Sequence, residues 1–300
     1  MLKATGASRA PEIATTGPPN PYLLEIRDLV YQLAGIFQPD NKLDLLADRC
    51  QKRMAALGIT RLRDYLDCLT MQPIRQAELV ELLNAITIGE TYFFRNQPQL
   101  DAFRKVVLPA ILECKAGLPM QTIRIWSAGC STGEEPYTLA MILLEESATV
   151  MKGWSFEIVA TDLNERSIVQ ARRGIYGEYS ARKLTNAQRQ KFFTQTSEGL
   201  AIKDEVKANV RFNRVNLLDD SRMAFIKGMD VILCCNVLIY FDVTSKRRVL
   251  QHFCNNLLPH GYFFVGSAES LYNVTQDFSL VHFAGTTGYE RNQQRQTGNR

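Results

Sequence analysis

The sequence predicts an α/β fold, with a largely parallel sheet flanked by helices and an all-helical domain ahead of it. Three observations carry this. From Gln121 onward, short β-rich runs at 123–127, 156–161, 210–215, 231–235 and 262–266 alternate with helical patterns at 134–150, 164–173 and 243–258. Alternation of that kind implies parallel strands joined by crossover helices. Between 21 and about 116 the texture is helical throughout. Lastly, residues 123–137 read as an apolar strand entering a small-residue turn, followed by Glu134, Glu135 and Pro136, which open a helix.

In order along the chain, residues 1–20 are rich in Gly, Pro, Ala, Ser and Thr without periodicity and read as a disordered tail. Leu43, Leu46, Cys50, Met54 and Leu57 recur at helical spacing until Gly58 supplies a stop. Leu79, Leu82, Leu83 and Ile86 repeat the pattern. The helical domain is placed at 21–116 and the α/β domain at 117–290, with an inserted β-hairpin about 192–207 turning at Ser197-Glu198-Gly199. The polar stretch 291–300 reads as a second disordered tail.

Composition bounds the function. The formal net charge of +4 over 300 residues is too mild to argue for nucleic acid. Apolar runs are strand-sized, so no membrane insertion is expected, and the N-terminus lacks the order of a secretory signal. Seven cysteines, odd in number and without a CxxC pair, read as reduced thiols of a cytoplasmic protein with no metal site. Residues 49–63 hold Arg49, Lys52, Arg53, Arg61 and Arg63 with no acid among them, although 21–116 balances twelve bases with twelve acids. This is a basic face, open to reading as a partner surface or as solvated helix charge.

Gly129-Cys130-Ser131-Thr132-Gly133 matches the G-x-S-x-G nucleophile elbow of serine hydrolases. That reading needs a histidine for Ser131, and only His252, His260 and His282 exist. His252 projects from the face opposite Val249, Leu250, Phe253, Cys254 and Leu257, whereas His260 lies in a turn where a triad histidine belongs. The alternative role for Ser131 and Thr132 is to cap the following helix, each with a glutamate three residues on.

Ligands of parallel sheets bind beyond the carboxyl ends of the strands. That edge collects the 128–135 turn, Asp162, Asn216 and Asn236. Asp162 ends the second strand, where nucleotide-binding folds place an acid on ribose hydroxyls, although it can also cap a helix from Asn164. The phosphate-binding G-x-G-x-x-G is absent, and Glu134 and Glu135 stand where a pyrophosphate would sit. Carboxylates there repel phosphate and welcome a cation. A ribose-containing, phosphate-free, cationic ligand is S-adenosylmethionine. Asn216 and Asn236 suit its adenine edge or amino-acid part, and Tyr240 adds a hydroxyl near the expected methyl.

Taken together, Gly89-Glu90-Thr91-Tyr92-Phe93-Phe94-Arg95, the stretch 123–137, Ala160-Thr161-Asp162, Val215-Asn216-Leu217-Leu218 and the stretch 236–241 resemble the CheR chemotaxis receptor methyltransferases in order and spacing over about 21–290. The resemblance implies a Rossmann-like methyltransferase sheet with a small β-subdomain, and methylation of receptor glutamates to γ-methyl esters. The positions it assigns to the cofactor are Gly89, Thr91, Arg95, Glu135, Asp162, Asn216, Leu217, Asn236 and Val237. Arg95 and Tyr240 become the expected catalytic pair, and the basic residues Arg49, Lys52, Arg53, Arg61 and Arg63 the expected receptor-recognition face. The implied partner is the cytoplasmic domain of a chemoreceptor, met by a monomer.

Three departures from the family stand out. Gly89 replaces an Asn of some relatives, so any cofactor contact there is through backbone. Cys235 replaces a common arginine. The turn at 194–198 is shorter than in relatives that hold a receptor's C-terminal pentapeptide, which implies methylation without pentapeptide tethering. A glutamate substrate is ionised at neutral pH and needs no general base. A cofactor-binding scaffold without turnover is the remaining alternative.

Overall fold

The computed structural model describes residues 19–71, 74–87 and 89–292. The tails expected at 1–20 and 291–300 lie outside the described residues, except at their inner ends: Asn20 caps the first helix, and Arg291 closes the last strand. The chain divides into two compact units, Met1–Ile88 and Gly89–Arg300.

The first unit is helical, with helices Pro21–Ala34, Leu43–Leu57, Leu62–Thr70 and Arg75–Ile86. Pro21 fits the first turn of its helix, and Gly35 and Gly58 end two helices in the left-handed conformation that costs glycine least. Leu43, Leu46, Cys50 and Met54 are buried as their spacing predicts, whereas Leu57 is exposed at the helix end. The core also holds an acid. Glu78 is 4% exposed and accepts Arg53 Nε at 2.9 Å, Arg53 Nη2 at 2.7 Å and the Tyr65 hydroxyl at 2.8 Å. A buried carboxylate survives only when paired in this way.

The second unit is built on a seven-stranded sheet. Its strands are β1 (Thr122–Ala128), β2 (Ser155–Asp162), β6 (Val210–Arg214), β7 (Met229–Cys234), β8 (Leu257–Val265), β9 (Phe278–Phe283) and β10 (Thr286–Arg291). Their order is β6-β2-β1-β7-β8-β10-β9, parallel from β6 through β8 and antiparallel at β10 and β9. The chain leaves β1 for β2 on one side and later returns through β7 on the other, so the switch point opens beyond Ala128. All six residues of β7 are buried, and near-continuous burial of β1 and β7 is what covering both sheet faces requires.

All five expected strands form, with β8 starting at Leu257 rather than 262. The hairpin expected about 192–207 comprises β4 (Phe193–Thr196) and β5 (Gly199–Ile202), and β3 (Ile175–Tyr176) joins it as a third strand. The closing hairpin of β9 and β10 was not expected. Another correction concerns residues 97–115, which the sequence places with the helical domain. Their helices belong to the second unit, because Leu100, Phe103, Val107, Leu108 and Ile111 share one core with Ile123 and Ile125 of β1 and Leu139.

The Glu78 pairing yields a stability prediction. Glu78→Ala leaves the buried Tyr65 hydroxyl without an acceptor and the half-buried Arg53 guanidinium with only Glu81, at 3.6 Å. Breaking a buried pair costs roughly 3–5 kcal/mol. Urea unfolding of the whole chain, followed by a probe in the helical unit, should show a loss of about that size, whereas Arg61→Ala should cost less than about 1 kcal/mol.

Candidate functional site

At the switch point the chain leaves β1 and turns through Gly129, Ser131 and Gly133, with φ of 76°, 49° and 95°. The turn is held from β2. Gly129 and Cys130 donate their N–H groups to Thr161 O at 2.7 and 2.9 Å, and Ser131 N donates to Asp162 Oδ2 at 2.8 Å. Glycine is required at 129: a Cβ there would stand 2.3 Å from Val237 Cγ2 and at a positive φ. Gly133 caps the helix Glu134–Glu146 without a side-chain bond, so the capping role expected of Ser131 and Thr132 is corrected. The Thr132 hydroxyl instead donates to Glu134 Oε2 at 2.7 Å.

The two glutamates divide. Glu134 is buried, and its second oxygen accepts the Ser180 hydroxyl at 2.8 Å, which commits it to packing. Glu135 is half-buried and accepts the Ser127 hydroxyl at 2.7 Å. Burial pushes the Glu135 carboxyl above its ordinary range, and the bond from Ser127 and the charge of Arg95 oppose that rise. Asp162 is also raised by burial, against backbone bonds that favour its charged form. Its Oδ1 accepts Asn164 N at 2.8 Å. The cap of helix Glu165–Arg173 is Asn164 itself, so Asp162 is released from the capping alternative. Each oxygen keeps a lone pair for a further donor.

The segment 89–95 crosses this turn. A Cβ on Gly89 would fall 2.2 Å from Ser131 Oγ, so a side chain there would have to displace that hydroxyl. Phe93 is fully buried, edge-on to Tyr176 and Phe193 at 4.8 and 5.2 Å. Phe94 N donates to Thr138 Oγ1 at 3.1 Å. These anchors fix Thr91, half-buried, and Arg95, whose Nη1 donates to Glu90 O at 2.6 Å while its guanidinium lies 5.8 Å from the Tyr92 ring. Arg182 stacks on the Tyr92 and Tyr179 rings at 3.6 and 3.8 Å, and Tyr179 donates to Glu90 Oε1 at 2.8 Å.

Asn216 folds back so that its Oδ1 accepts Leu218 N at 3.1 Å, and Leu217 is buried. Asn236 takes a left-handed φ of 62° and leads through Val237 into the short turn Leu238–Tyr240, where Tyr240 is 39% exposed. Cys235 donates to Gln99 Oε1 at 3.4 Å, and Gln99 Nε2 donates to Val265 O at 2.8 Å. Burial raises the Cys235 thiol well above its usual range, so it works here as a neutral donor.

The nucleophile-elbow reading finds no support. Ser131 Oγ is buried and has no hydrogen-bond partner, and thus no serving histidine. His252 Nε2 lies 3.0 Å from Asp220, and His260 Nδ1 lies 3.4 Å from Glu290. A buried, unpaired hydroxyl beside a turn stripped of side chains, with Asp162 lone pairs and Glu135 adjoining, fits a ligand rich in hydroxyls and cationic groups. That donor set suits S-adenosylmethionine.

The basic stretch lies in the other unit and is more compensated than its sequence suggests. Lys52 and Arg49 pair with Asp48 at 2.9 and 3.3 Å, and Arg61 pairs with Asp64 at 2.7 Å. These two acids flank the acid-free window. Arg53 is 16% exposed and paired with Glu78 and Glu81, which gives it a structural role.

Sequence reasoning missed Ser127, Gln99 and Glu269. The Glu269 carboxylate accepts Asn236 N and Gly266 N at 2.7 Å each and Ile239 N at 3.1 Å. Its position four residues past the end of β8 carries no spacing signal to Asn236.

Residues 89–286 match the family described as CheR methyltransferase, SAM binding domain, and residues 23–87 match CheR methyltransferase, all-alpha domain. The chain is 34% identical over 264 residues to Chemotaxis protein methyltransferase 2 of Vibrio cholerae serotype O1, covering 88% of this chain and 90% of that one. It is 33% identical over 259 residues to Chemotaxis protein methyltransferase 1 of Pseudomonas aeruginosa, covering 85% and 92% respectively. With the Chemotaxis protein methyltransferase of Escherichia coli strain K12 it shares 34% identity over 260 residues, covering 85% and 86%. The chain therefore belongs to the CheR methyltransferase family, carrying its all-alpha domain over 23–87 and its SAM binding domain over 89–286.

Proposed function

We propose that this methyltransferase moves the methyl group of S-adenosylmethionine onto glutamate side chains of chemoreceptor cytoplasmic domains, giving γ-methyl esters in the cytoplasm. The observation that carries the reading is the half-buried Glu135 beside a bare glycine turn closed by Asp162. A phosphate site would place no acid there. Among the described residues no helix is long and apolar enough to cross a membrane.

S-adenosylmethionine supplies an electrophilic methyl on a sulfonium. In this reading Asp162 accepts the ribose hydroxyls through its spare lone pairs. Glu135 faces the cationic amino-acid end, with Arg95 balancing its carboxylate. Gly89 and Gly129 offer backbone at close range, and Thr91, Asn216, Leu217, Asn236 and Val237 line the remainder. The receptor glutamate arrives ionised, so the protein removes no proton. Its task is in-line positioning and exclusion of water. In this reading Arg95 orients without gripping the nucleophile, and Tyr240, partly exposed in its turn, guides the incoming side chain. Calorimetry with S-adenosylhomocysteine, then radiolabelled transfer to receptor fragments, tests the proposal. Binding without transfer to any receptor fragment supports the scaffold alternative, and absence of binding removes the reading altogether.

Cofactor affinity should depend on pH with a definite sign. Glu135 and Asp162 have raised pKa values in the free protein, and a bound cation favours their charged forms. Affinity is therefore full at neutral pH and falls as acid protonates them, starting above the ordinary carboxylate range. Glu135→Gln should weaken binding at neutral pH by about ten- to hundred-fold, the equivalent of one charged hydrogen bond, and flatten that decline. Titration calorimetry across the interval reads both effects.

Receptor recognition is assigned to Arg49, Lys52, Arg61 and Arg63, with Arg53 left intact because it supports the fold. Replacing these four by Gln should raise KM for a receptor fragment, reduce its salt dependence, and leave S-adenosylhomocysteine affinity unchanged. An equal loss in both would contradict the role.

Tethering is predicted to be dispensable. The turn between β4 and β5 is only Ser197-Glu198, and Glu198 is held by Arg173. Receptors with and without a C-terminal pentapeptide should be methylated with KM values within about twofold of each other, a difference below about 0.5 kcal/mol.

A further inference from the structure

We infer that Glu269 is a positioning residue for methyl transfer, clamping the segment 236–240 against the cofactor crevice. The inference rests on the methyltransferase reading above and goes beyond its assigned residues. Three backbone N–H groups converge on this one side chain: Asn236 and Gly266 on Oε2 at 2.7 Å each, and Ile239 on Oε1 at 3.1 Å. The donors come from two places, the exit of β7 and the exit of β8. Glu269 therefore bolts two strand ends together on the edge where the ligand binds.

What it holds is a strained and crowded segment. Asn236 has a φ of 62°, a left-handed conformation that asparagine tolerates but does not prefer over extended backbone. Gly266 allows the approach, since a Cβ there would lie 2.9 Å from Asn236 N, Asn236 Nδ2 and Glu269 Oε2 alike. On the other side, Val237 presses on Gly129, where a Cβ would stand 2.3 Å from Val237 Cγ2. The segment is thus pinned between the glycine turn and the clamp. Asn236 and Val237 are assigned to the cofactor, and Tyr240 ends the same short turn, so a single carboxylate sets all three. Glu269 itself need touch neither cofactor nor substrate. It is half-buried, and its acceptors face the backbone.

The chemistry demands a carboxylate. With three donors converging, an amide would turn its own N–H toward one of them. Misplacement by about 1 Å can cost on the order of 100-fold in rate.

The test uses the full chain and compares Glu269→Gln and Glu269→Asp with wild type at a temperature where circular dichroism shows all three folded. The expected result for Glu269→Gln is a ten- to hundred-fold fall in kcat on a receptor fragment, a weaker S-adenosylhomocysteine Kd, and faster hydrogen exchange at the Asn236 and Gly266 amides. Glu269→Asp, which keeps the charge but shortens the reach, should recover part of each. A merely structural role would lower the melting temperature while leaving kcat and Kd at wild-type values below it, and that outcome overturns the inference. Should the Gln variant fail to fold, the Asp variant decides: wild-type kcat, Kd and exchange rates together reject the clamp. If wild type binds S-adenosylhomocysteine but methylates no receptor fragment, the receptor proposal fails alone. The Kd and exchange measurements then still judge Glu269.

Discussion

The exit of β1 is fixed by the exit of β2, and the rest of the site depends on that coupling. Thr161 O takes the N–H groups of Gly129 and Cys130, and Asp162 Oδ2 takes that of Ser131. Three successive amides of a turn that no ladder can satisfy thereby find acceptors in the neighbouring strand, as buried backbone must. With the turn so held, the helix starts at Gly133 and delivers Glu135 into the crevice rather than onto the surface. Asp162 serves two ends at once. It shapes the turn through one oxygen and keeps capacity for a ligand on both, which explains why an acid rather than a neutral residue suits the strand end.

A second constraint is electrostatic. Glu135 and Asp162 are both raised by burial, and the hydrogen bonds around them only partly oppose this. The free site therefore holds negative charge at a cost that a cation would relieve. Perturbed groups gathered at a strand-end crevice are the usual mark of a working site. Cys235 fits the same pattern. A neutral thiol at 235 adds no charge beside Glu135, while Gln99 couples it to the end of β8.

Pattern and spacing made the central strands legible, because strands covered on both faces are apolar almost throughout. The same logic could not assign residues 97–115. Their periodicity shows that one face is buried, yet a helix burying Leu100 and Phe103 against a sheet reads the same as one in a bundle. The hairpin of β9 and β10 escaped because only three of its twelve strand residues are buried and its edge strand alternates weakly. Charge was misread for a simpler reason. An acid-free window from 49 to 63 ends just short of Asp48 and Asp64 and ignores Glu78, so pairing over three, four and twenty-five residues was invisible. Glu269 shows the limit most plainly: its bond to Asn236 spans thirty-three residues and depends on Gly266 having no side chain.

Gly89 and Ser131 must be read as a pair. The Ser131 hydroxyl occupies the space that a Cβ at position 89 would need, 2.2 Å away, and it is buried without a partner. A side chain at 89 would have to push that hydroxyl elsewhere. With glycine there, the hydroxyl stays beside the bare turn, on the same residue whose N–H Asp162 holds. An unpaired buried hydroxyl costs on the order of 1–3 kcal/mol, and a ligand donor or acceptor reaching it would recover that cost on binding. Ser131, which resembled a nucleophile in the sequence, thus stands as a buried, unpaired hydroxyl beside the glycine turn.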